Sequence, residues 1–572
     1  MGKTASAKRT ISAKPVMTAE KDAPLQLGNW THHRSLLLLV ALTLVCLIPF
    51  CAEAFHVDDP LFLWAAQQIV KHPLDPYGFS VVWYWKSSPM AEITQNPPLA
   101  SYYLAGVGNV VGSSEVALHL AFLLPALIVV LGTYQLARRF TGSPLFAAAA
   151  TLLTPGFLVS STSVMCDTMM LAAWILAVLL WMKGLDRNNP AMLAASGLVI
   201  AFCALSKYFG MALIPLLLVY TIARQRRVSS SALFLLIPVL ALAGYQHWTH
   251  QLYGKGLLFQ AADYATHQKV NWTGQVAKSL VGLTFAGGCA LPILLFTPFV
   301  WRRRSLLFGT IAVVIAAFCC AMSWVNVANF DHVQSSRAWL GLQLGLFLAG
   351  GASVIALAVA DWWKRKDAGS LLLGLWVLGT FFFAAFVNWT VNARSVLPLI
   401  PAAAILLARR LDLSSTKVLA SKGLIRRSLP LAVSGALSLW VTWADFQQAN
   451  AQRTAAEYVR EHCPAGTKVN FEGHWGFQYY MERFGFHPIE PQNFHTGNGD
   501  VAVIPENNTN TFSISKQFIA SESDLTVLVD AGASTMNFWM GAGFYTDAWG
   551  PLPYAFGNVP PERYALQVLK IP

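Results

Sequence analysis

Residues 35–60 read SLLLLVALTLVCLIPFCAEAFHVDDP, an apolar run that ends in two adjacent carboxylates. The apolar part has about the 20 residues that a helix needs to cross the hydrocarbon core of a bilayer. Asp58 and Asp59 follow it directly, where the chain leaves the membrane. An acidic residue at this depth is a functional hypothesis by default, because burying a charge there is costly. The stretch therefore predicts a membrane protein with chemistry beside its first span.

The whole chain has the composition of an integral membrane protein. Its 572 residues are 55% hydrophobic and 12% charged, whereas soluble domains are about 25% charged. The net charge is +12, but the Lys and Arg residues occur in short clusters between apolar runs. Clusters of this kind are typical of membrane topology and argue against a nucleic-acid partner, which would favour a continuous basic stripe.

Further apolar runs predict about thirteen transmembrane helices in all. The runs lie near 35–54, 115–137, 143–162, 167–184, 190–206, 208–223, 230–248, 278–300, 305–325, 338–359, 369–388, 392–408 and 428–445. The predicted fold class is an all-α polytopic membrane domain, residues 35–445, followed by a soluble α/β domain, residues 446–572.

Basic clusters follow every second run. They are Arg138/Arg139, Lys183/Arg187, Arg224/Arg226/Arg227, Arg302 to Arg304, Lys364 to Lys366, and Arg409 through Arg427. The positive-inside rule makes this side cytoplasmic, together with the basic N-terminal tail, residues 1–34. An odd number of spans places the first loop, residues 55–114, and the C-terminus on the extracytoplasmic side. The expected location is a cell membrane, in bacteria the inner membrane.

The last 127 or so residues differ in composition from the membrane part, because Asn, Gly, Pro and acidic residues become frequent. Ala455 to His462 predicts a short helix that ends at Pro464-Ala465-Gly466. Three short apolar segments predict buried strands: Lys468 to Phe471, Val501 to Ile504, and Leu525 to Val529.

Polar residues gather at the extracytoplasmic ends of the predicted spans. In the first loop we expect Asp59 to cap an amphipathic surface helix over Leu61 to Val70, which leaves Asp58 for chemistry. The others are Asp167, Lys207, Asp331, His332, Arg337 and Arg394. Singly, each is equally well explained as an interfacial anchor. Together, carboxylates and cations at one membrane face suit a base for an incoming hydroxyl and positive charge for a leaving phosphate.

Several of these residues stand in recognisable short stretches. The stretches are Asp58-Asp59, Asn96-Pro97-Pro98-Leu99, Asp167 to Leu171 with Leu205-Ser206-Lys207-Tyr208, and Arg394-Ser395-Val396-Leu397-Pro398. In order and spacing they resemble the GT-C superfamily of polyprenyl-phosphate-sugar glycosyltransferases. Within it they are similar to the family 39 branch of protein mannosyltransferases and the lipid A aminoarabinose transferase. The tail stretch Trp475 to Tyr480 more loosely resembles tails of bacterial members. Departures from the family pattern are Asp59 for Glu, Asn96 for a basic residue, and Ser395 for Tyr.

The resemblance implies transfer of a single sugar from a polyprenyl (undecaprenyl or dolichyl) phosphate donor to an extracytoplasmic acceptor. The reaction is expected to invert the sugar and to need no cofactor or catalytic metal. The acceptor, whether a protein, a lipid or a glycan, stays open. The implied roles are Asp58 as general base, Asp59 and Asp167 as further catalytic acids, and Lys207, Arg394 and Asn96 as contacts of the donor phosphate.

Two other functions compete with this one. A lipid-linked glycan polymerase or ligase would use similar chemistry on a whole oligosaccharide. A secondary transporter would place ionisable residues near the bilayer midplane between repeated halves. The sequence instead has them at the ends of spans, and no repeat is evident.

Overall fold

The computed structural model describes residues 29–266, 272–321, 336–414, 420–464, 466–494 and 497–571. Asp331, His332 and most of the basic N-terminal tail lie outside these ranges. All structural statements below concern the described residues.

The chain is mostly helical. The helices in the first half of the chain are α1 Asn29–Leu47, α2 Asp59–Lys71, α3 Met90–Ile93, α4 Leu99–Val111, α5 Glu115–Ala137, α6 Pro144–Leu152, α7 Pro155–Ser161, α8 Cys166–Arg187, α9 Pro190–Ser206, α10 Leu213–Gln225 and α11 Leu236–Tyr253. Those that follow are α12 Leu257–Thr266, α13 Trp272–Cys289, α14 Leu291–Val300, α15 Arg303–Ala321, α16 Arg337–Arg365, α17 Ala368–Phe382, α18 Ala393–Val396, α19 Leu399–Ser414, α20 Ala420–His462 and α21 Trp475–Arg483.

Eight stretches of helix are long and apolar enough to cross a membrane in the described part of the chain. The count becomes ten if two bent pairs, α6 with α7 and α13 with α14, each form one span. About thirteen spans were predicted, and three of the other predicted runs also form helices, α9, α15 and α19. The predicted polytopic helical domain is thus confirmed.

The predicted basic clusters meet at one end of the helices. Arg139 and Arg224 both pair with Asp186, which joins the ends of α5, α8 and α10. Arg409 near the end of α19 pairs with Asp361 of α16 at 2.9 Å. The backbone N–H of Gly142 donates to Asp412 of α19 at 2.9 Å, which connects the two groups. These contacts place Arg139, Arg224 and Arg409 at the same end of the helices, as the spacing of the basic clusters predicted.

The helix α20 has 43 residues and runs without a break from the membrane part into the tail. At 1.5 Å per residue it is about 65 Å long, roughly twice the thickness of the hydrocarbon core. The short helix predicted over Ala455 to His462 is its last part, and the predicted domain boundary at residue 446 falls inside it. The sequence suggested a break because polar residues become frequent there.

The tail contains a five-stranded mixed sheet. Its strands, with the short pairs around them, are β3 Val469–Phe471, β4 His487–Pro488, β5 Val501–Pro505, β6 Ile519–Val527, β7 Ala533–Ser534, β8 Met536–Asn537, β9 Ala542–Gly543, β10 Ala555–Phe556 and β11 Glu562–Leu569. A hairpin in the first loop adds β1 Ser80–Val82 and β2 Ser87–Pro89. The sheet order is β4-β3-β5-β11-β6, with β3 parallel to both neighbours and β11 antiparallel to both of its own.

Aromatic side chains hold α21 on this sheet. Phe477 of α21 packs edge-on against Phe471 of β3, with ring centroids 6.0 Å apart, and lies 5.1 Å from Tyr564 of β11. All three rings are buried. Three predicted strands correspond to β3, β5 and β6, but β6 was predicted to be buried and is mostly exposed. Strand β11, which lies between β5 and β6, was not predicted. The soluble α/β class of the tail is confirmed.

A hydrogen bond and close backbone packing join the tail to the loop that follows α1. The hydroxyl of Tyr480 in α21 accepts from the backbone N–H of Phe55 at 2.9 Å and donates to Glu115 at the start of α5. A Cβ atom at Gly476 would lie 2.0 Å from the carbonyl oxygen of Phe55, so only glycine allows this approach. The start of α21 therefore lies directly against the residues that precede Asp58.

Candidate active site

A large cavity lies between the membrane helices and the tail. Its volume is about 870 Å³. Four of the six residues predicted for the site line it: Asp58, Asn96, Lys207 and Arg394. Asp59 and Asp167 are buried, with 0% and 1% of their surface exposed. The structure therefore gathers residues that are up to 336 positions apart in the sequence.

Four charged side chains form an alternating chain at this cavity. Arg394 donates from Nη2 to Oδ2 of Asp58 at 2.7 Å, and its Nη1 lies 4.0 Å from Oδ2 of Asp167. Lys207 donates from Nζ to Oδ1 of Asp167 at 2.5 Å. Two carboxylates and two cations thus alternate, which lowers the cost of burying each charge. The two cations were predicted to contact a donor phosphate, and in the structure each has a carboxylate partner.

The guanidinium of Arg394 contacts both the tail and the segment that precedes α8. It lies over the ring of Tyr545 from the tail at 5.6 Å, and its Nη1 is 2.8 Å from the sulfur of Met165. The carboxylates of Asp58 and Asp167 lie within 4.0 Å of the guanidinium and stabilise its charge. The side chain therefore stays positively charged although it is largely buried.

The two adjacent carboxylates of the first loop have different surroundings. Oδ2 of Asp59 accepts from the backbone N–H of His56 at 3.1 Å, and Oδ1 accepts from that of Val164 at 3.0 Å. Burial raises the pKa of Asp59 to about 6, although these donors and His56 lower it. Asp58 instead faces the cavity, with 26% of its side chain exposed.

The expected capping role of Asp59 needs a correction. The helix α2 begins at Asp59, and its N-cap is Asp58, whose side chain makes no capping hydrogen bond. Asp59 joins the turn after α1 to the segment before α8 because its two oxygens accept from backbone groups of both. In the structure Asp59 holds two distant segments together and does not cap a helix.

Backbone strain accompanies the turn that precedes the two carboxylates. Val57 has a φ angle of 50°, in the left-handed region that a β-branched residue rarely adopts. Trp475, across the cavity at the start of α21, has a φ angle of 65°. Both residues line the cavity. Strained positions of this kind persist where the surrounding structure holds them, and they cluster at functional sites.

Asn96 contributes a neutral polar group to the cavity wall. Its carbonyl oxygen accepts from the Tyr77 hydroxyl at 2.9 Å, and Oδ1 lies 3.6 Å from the sulfur of Cys166. The amide therefore cannot supply the positive charge that a basic residue would give here.

The tail supplies cavity residues that the sequence did not identify. They are Thr509, Asn510, Met536, Tyr545 and Thr546. Asn510 donates from Nδ2 to the carbonyl oxygen of Trp83 at 3.2 Å, and Trp85 donates to the carbonyl oxygen of Asn510 at 2.7 Å. These bonds fix the tail to the aromatic part of the first loop. Of the tail residues that line the cavity, only Trp475 stood in a stretch that the resemblance marked.

One wall of the cavity faces the lipid. Val219 of α10 and Leu375 and Phe382 of α17 line the cavity, and 37% to 57% of the surface of each is exposed. Both helices belong to candidate membrane spans, so their exposed faces contact lipid. The cavity therefore reaches from an apolar, lipid-facing side between α10 and α17 to the charged chain and the polar residues of the tail.

A family of known proteins matches a segment in the first half of the chain. A family model described as dolichyl-phosphate-mannose-protein mannosyltransferase matches residues 95–249. This match confirms the resemblance. The matched segment contains Asn96, Asp167 and Lys207, whereas Asp58 and Arg394 lie outside it. No curated protein is similar enough in sequence to count as a match.

Solved structures of membrane glycosyltransferases resemble the chain at low sequence identity. The oligosaccharyltransferase of Archaeoglobus fulgidus, solved with a tethered acceptor peptide, is 14% identical with a TM-score of 0.48, over 82% of this chain and 65% of that one. ArnT from Cupriavidus metallidurans, bound to undecaprenyl phosphate, is 12% identical with a TM-score of 0.40, over 82% of this chain and 93% of that one. The chain thus spans slightly less than two thirds of the archaeal protein.

Proposed function

We propose that this protein is a membrane glycosyltransferase that transfers a single sugar from a polyprenyl phosphate carrier to an acceptor outside the cytoplasm. The observation that carries the proposal is the shape and lining of the cavity. One wall is apolar and faces lipid, and the opposite end holds Asp58, Lys207 and Arg394. A lipid-linked sugar has the same two parts, a long apolar chain and a phosphate that joins it to a polar ring. The match of residues 95–249 to the mannosyltransferase family supports the same chemistry.

In this proposal the lipid chain enters between α10 and α17. The apolar side chains of Val219, Leu375 and Phe382 would contact it there, while the phosphate reaches the charged chain. A phosphate at this depth needs fixed positive charge, because few water molecules remain to stabilise it. Lys207 and Arg394 supply that charge from the cavity wall, and Asn96 can donate from its amide.

Asp58 is the base in the proposed reaction. A hydroxyl of the acceptor transfers its proton to Asp58, and its oxygen forms a bond with the anomeric carbon of the sugar. The bond from that carbon to the phosphate oxygen breaks, and the polyprenyl phosphate leaves with the bonding electron pair. Attack opposite to the leaving phosphate inverts the configuration. Arg394 orients Asp58 and neutralises charge on the phosphate, whereas Asp167 holds both cations and Asp59 holds the loop.

In this proposal the acceptor enters the cavity on the side that the tail lines. Thr509, Asn510 and Thr546 place hydroxyl and amide groups on the cavity wall, as the recognition of a polar acceptor requires. These groups suit a protein, a lipid head group or a glycan. A lipid-linked glycan polymerase or ligase is the second candidate, since a cavity of about 870 Å³ open on the tail side does not limit the donor to one sugar.

A donor comparison tests the proposal. The purified full-length protein is incubated with polyprenyl phosphates that carry one labelled sugar and with polyprenyl pyrophosphates that carry an oligosaccharide, each with a membrane extract as the acceptor source. We expect label in the acceptor, and free polyprenyl phosphate in equal amount, only from the single-sugar donor. Transfer of the oligosaccharide would favour the polymerase or ligase, and transfer from neither donor would contradict both.

The orientation of the chain gives an independent prediction. Because the basic clusters lie on one face, reporter fusions after Arg139, Arg227 and Arg304 should report the cytoplasm. A fusion at the C-terminus should report the extracytoplasmic side. The measurement is alkaline phosphatase activity against green fluorescence for each fusion in the same cells. A fluorescent C-terminal fusion would mean that the tail and the cavity face the cytoplasm, and the proposed acceptor would then be wrong.

A further inference from the structure

We propose that Glu53, His56 and Asp445 bind one divalent metal ion, with Zn²⁺ the ion that they suit best, in a structural site beside the loop that carries Asp58. The proposal concerns a site outside the cavity and does not rest on the proposed transferase function. Its ligands would be two carboxylates and one imidazole, donors that zinc accepts alongside cysteine.

The distances among the three side chains suit a tetrahedral ion. Nε2 of His56 lies 3.3 Å from Oε1 of Glu53 and 3.3 Å from Oδ2 of Asp445. All three ligand atoms lie within 4.8 Å of one another. Zinc bonds to nitrogen and oxygen are about 2.0 to 2.2 Å long, so neighbouring ligand atoms of a tetrahedron are separated by roughly 3.3 to 3.6 Å. Both distances from the imidazole fall at this separation.

Burial leaves Glu53 in need of a partner. None of its surface is exposed, and neither of its side-chain oxygens makes a hydrogen bond of good geometry with a described residue, although the side chains of His56 and Thr162 lie close to it. Among the described residues, the basic atom within 4.0 Å of Glu53 is Nε2 of His56, which also faces Asp445. One imidazole N–H cannot donate to two carboxylates at full strength. A divalent cation would neutralise both carboxylates and satisfy the oxygens of Glu53.

Residues around the cluster make hydrogen bonds to the proposed ligands. The hydroxyl of Tyr545 donates to Oδ2 of Asp445 at 2.9 Å and lies 3.3 Å from Nε2 of His56. The Thr535 hydroxyl donates to Oδ1 of Asp445. Hydrogen bonds of this kind orient ligating carboxylates and are typical of metal centres. The Tyr545 hydroxyl thus lies beside two of the three ligand atoms, and a water molecule would complete the coordination.

A metal at this point would join three separate elements. Glu53 and His56 belong to the turn after α1, Asp445 belongs to α20, and Tyr545 belongs to the tail. The backbone N–H of His56 donates to Asp59, so the ion would fix the turn two residues before Asp58. It would act by holding this turn, without contact to the reacting atoms.

Metal analysis of the full-length protein in detergent tests the proposal. We compare the wild type with Glu53→Gln, Asp445→Asn and Glu562→Gln. Glu562 is a matched control, because its carboxyl is also buried but accepts a hydrogen bond from Asn507 at 2.8 Å, away from the cluster. After dialysis against ZnCl₂ and then buffer, we expect about one Zn²⁺ per chain in the wild type and in Glu562→Gln, and less than about a tenth of that in the other two.

A second measurement keeps the test valid if a variant folds poorly. The wild type alone is treated with EDTA, and its Tm is measured before and after Zn²⁺ is returned. We expect the chelator to lower Tm and Zn²⁺ to restore it, since an ion that binds only the folded state stabilises it. A wild type that retains no metal after dialysis and whose Tm does not change with EDTA or Zn²⁺ would overturn the proposal. The cluster would then be a buried ion pair that holds a proton in place of a metal.

Discussion

Asp58→Asn is expected to abolish most sugar transfer while the protein still folds. The substitution keeps the shape of the side chain and can retain a hydrogen bond with the guanidinium of Arg394, which lies 2.7 Å from Oδ2. It removes the group that takes the proton of the acceptor hydroxyl, and such a base contributes about 10² to 10⁴ in rate. The measurement is kcat for transfer from a labelled polyprenyl phosphate donor by the purified variant, with Tm as the control for folding.

Asp59→Asn is the matched control, because it makes the same change at the next residue. Both oxygens of Asp59 accept backbone N–H groups, and an amide can accept only one of them. We therefore expect a stability loss of about 1 to 3 kcal/mol and a smaller loss of kcat. If Asp58→Asn transferred sugar at the normal rate, Asp58 would not be the base. If Asp59→Asn lost more rate at unchanged Tm, the role would pass to Asp59.

Arg394→Gln is expected to weaken use of the donor about 10-fold to 150-fold in kcat/KM. A hydrogen bond to a charged group is worth about 1.5 to 3 kcal/mol, and the phosphate would lose at least one. The variant also leaves Asp58 and Asp167 without the charge between them, so we expect Tm to fall. Arg394→Lys keeps the charge but not the planar pair of donors, and it should recover only part of the loss.

Two controls separate binding from folding in this experiment. Arg453→Gln breaks another arginine–carboxylate pair, with Glu115, at a place that does not line the cavity. It should lower Tm without a specific change in KM for the donor. Lys207→Gln should resemble Arg394→Gln in its effect on donor use. Normal kcat/KM in both Arg394→Gln and Lys207→Gln would show that the two cations only neutralise Asp58 and Asp167.

Much of the membrane part could be predicted because membrane insertion obeys simple rules. Long apolar runs and clusters of Lys and Arg are local in the sequence, and the helices follow them closely. The contact between Arg394 and Asp58 is different, since 336 positions separate them. The sequence marked both residues through the family resemblance, but nothing in it indicated that the two cations would be paired with the acids.

The tail was harder to predict, because its strands depend on partners far along the chain. Strand β11, with the sequence Glu-Arg-Tyr-Ala-Leu-Gln-Val-Leu, lies between β5 and β6 in the sheet. Its alternation of Tyr564, Leu566 and Val568 with more polar residues was a usable signal. Tyr545 carried no such signal, since a single tyrosine in a loop does not reveal that it will lie under Arg394. Only the packing of the tail on the first loop brings it there.

The unbroken helix α20 also constrains how this protein can be altered. Inserting or deleting one residue in it would rotate everything beyond that point by about 100° and shift it by about 1.5 Å along the axis. Asp445 and the tail residues that contact it, Thr535 and Tyr545, would then lose their register. Chimeras that exchange tails between related proteins must therefore join them within this helix with its length preserved. The same restriction applies to natural relatives of this protein. We therefore expect insertions and deletions among them in the surface loops and not within α20.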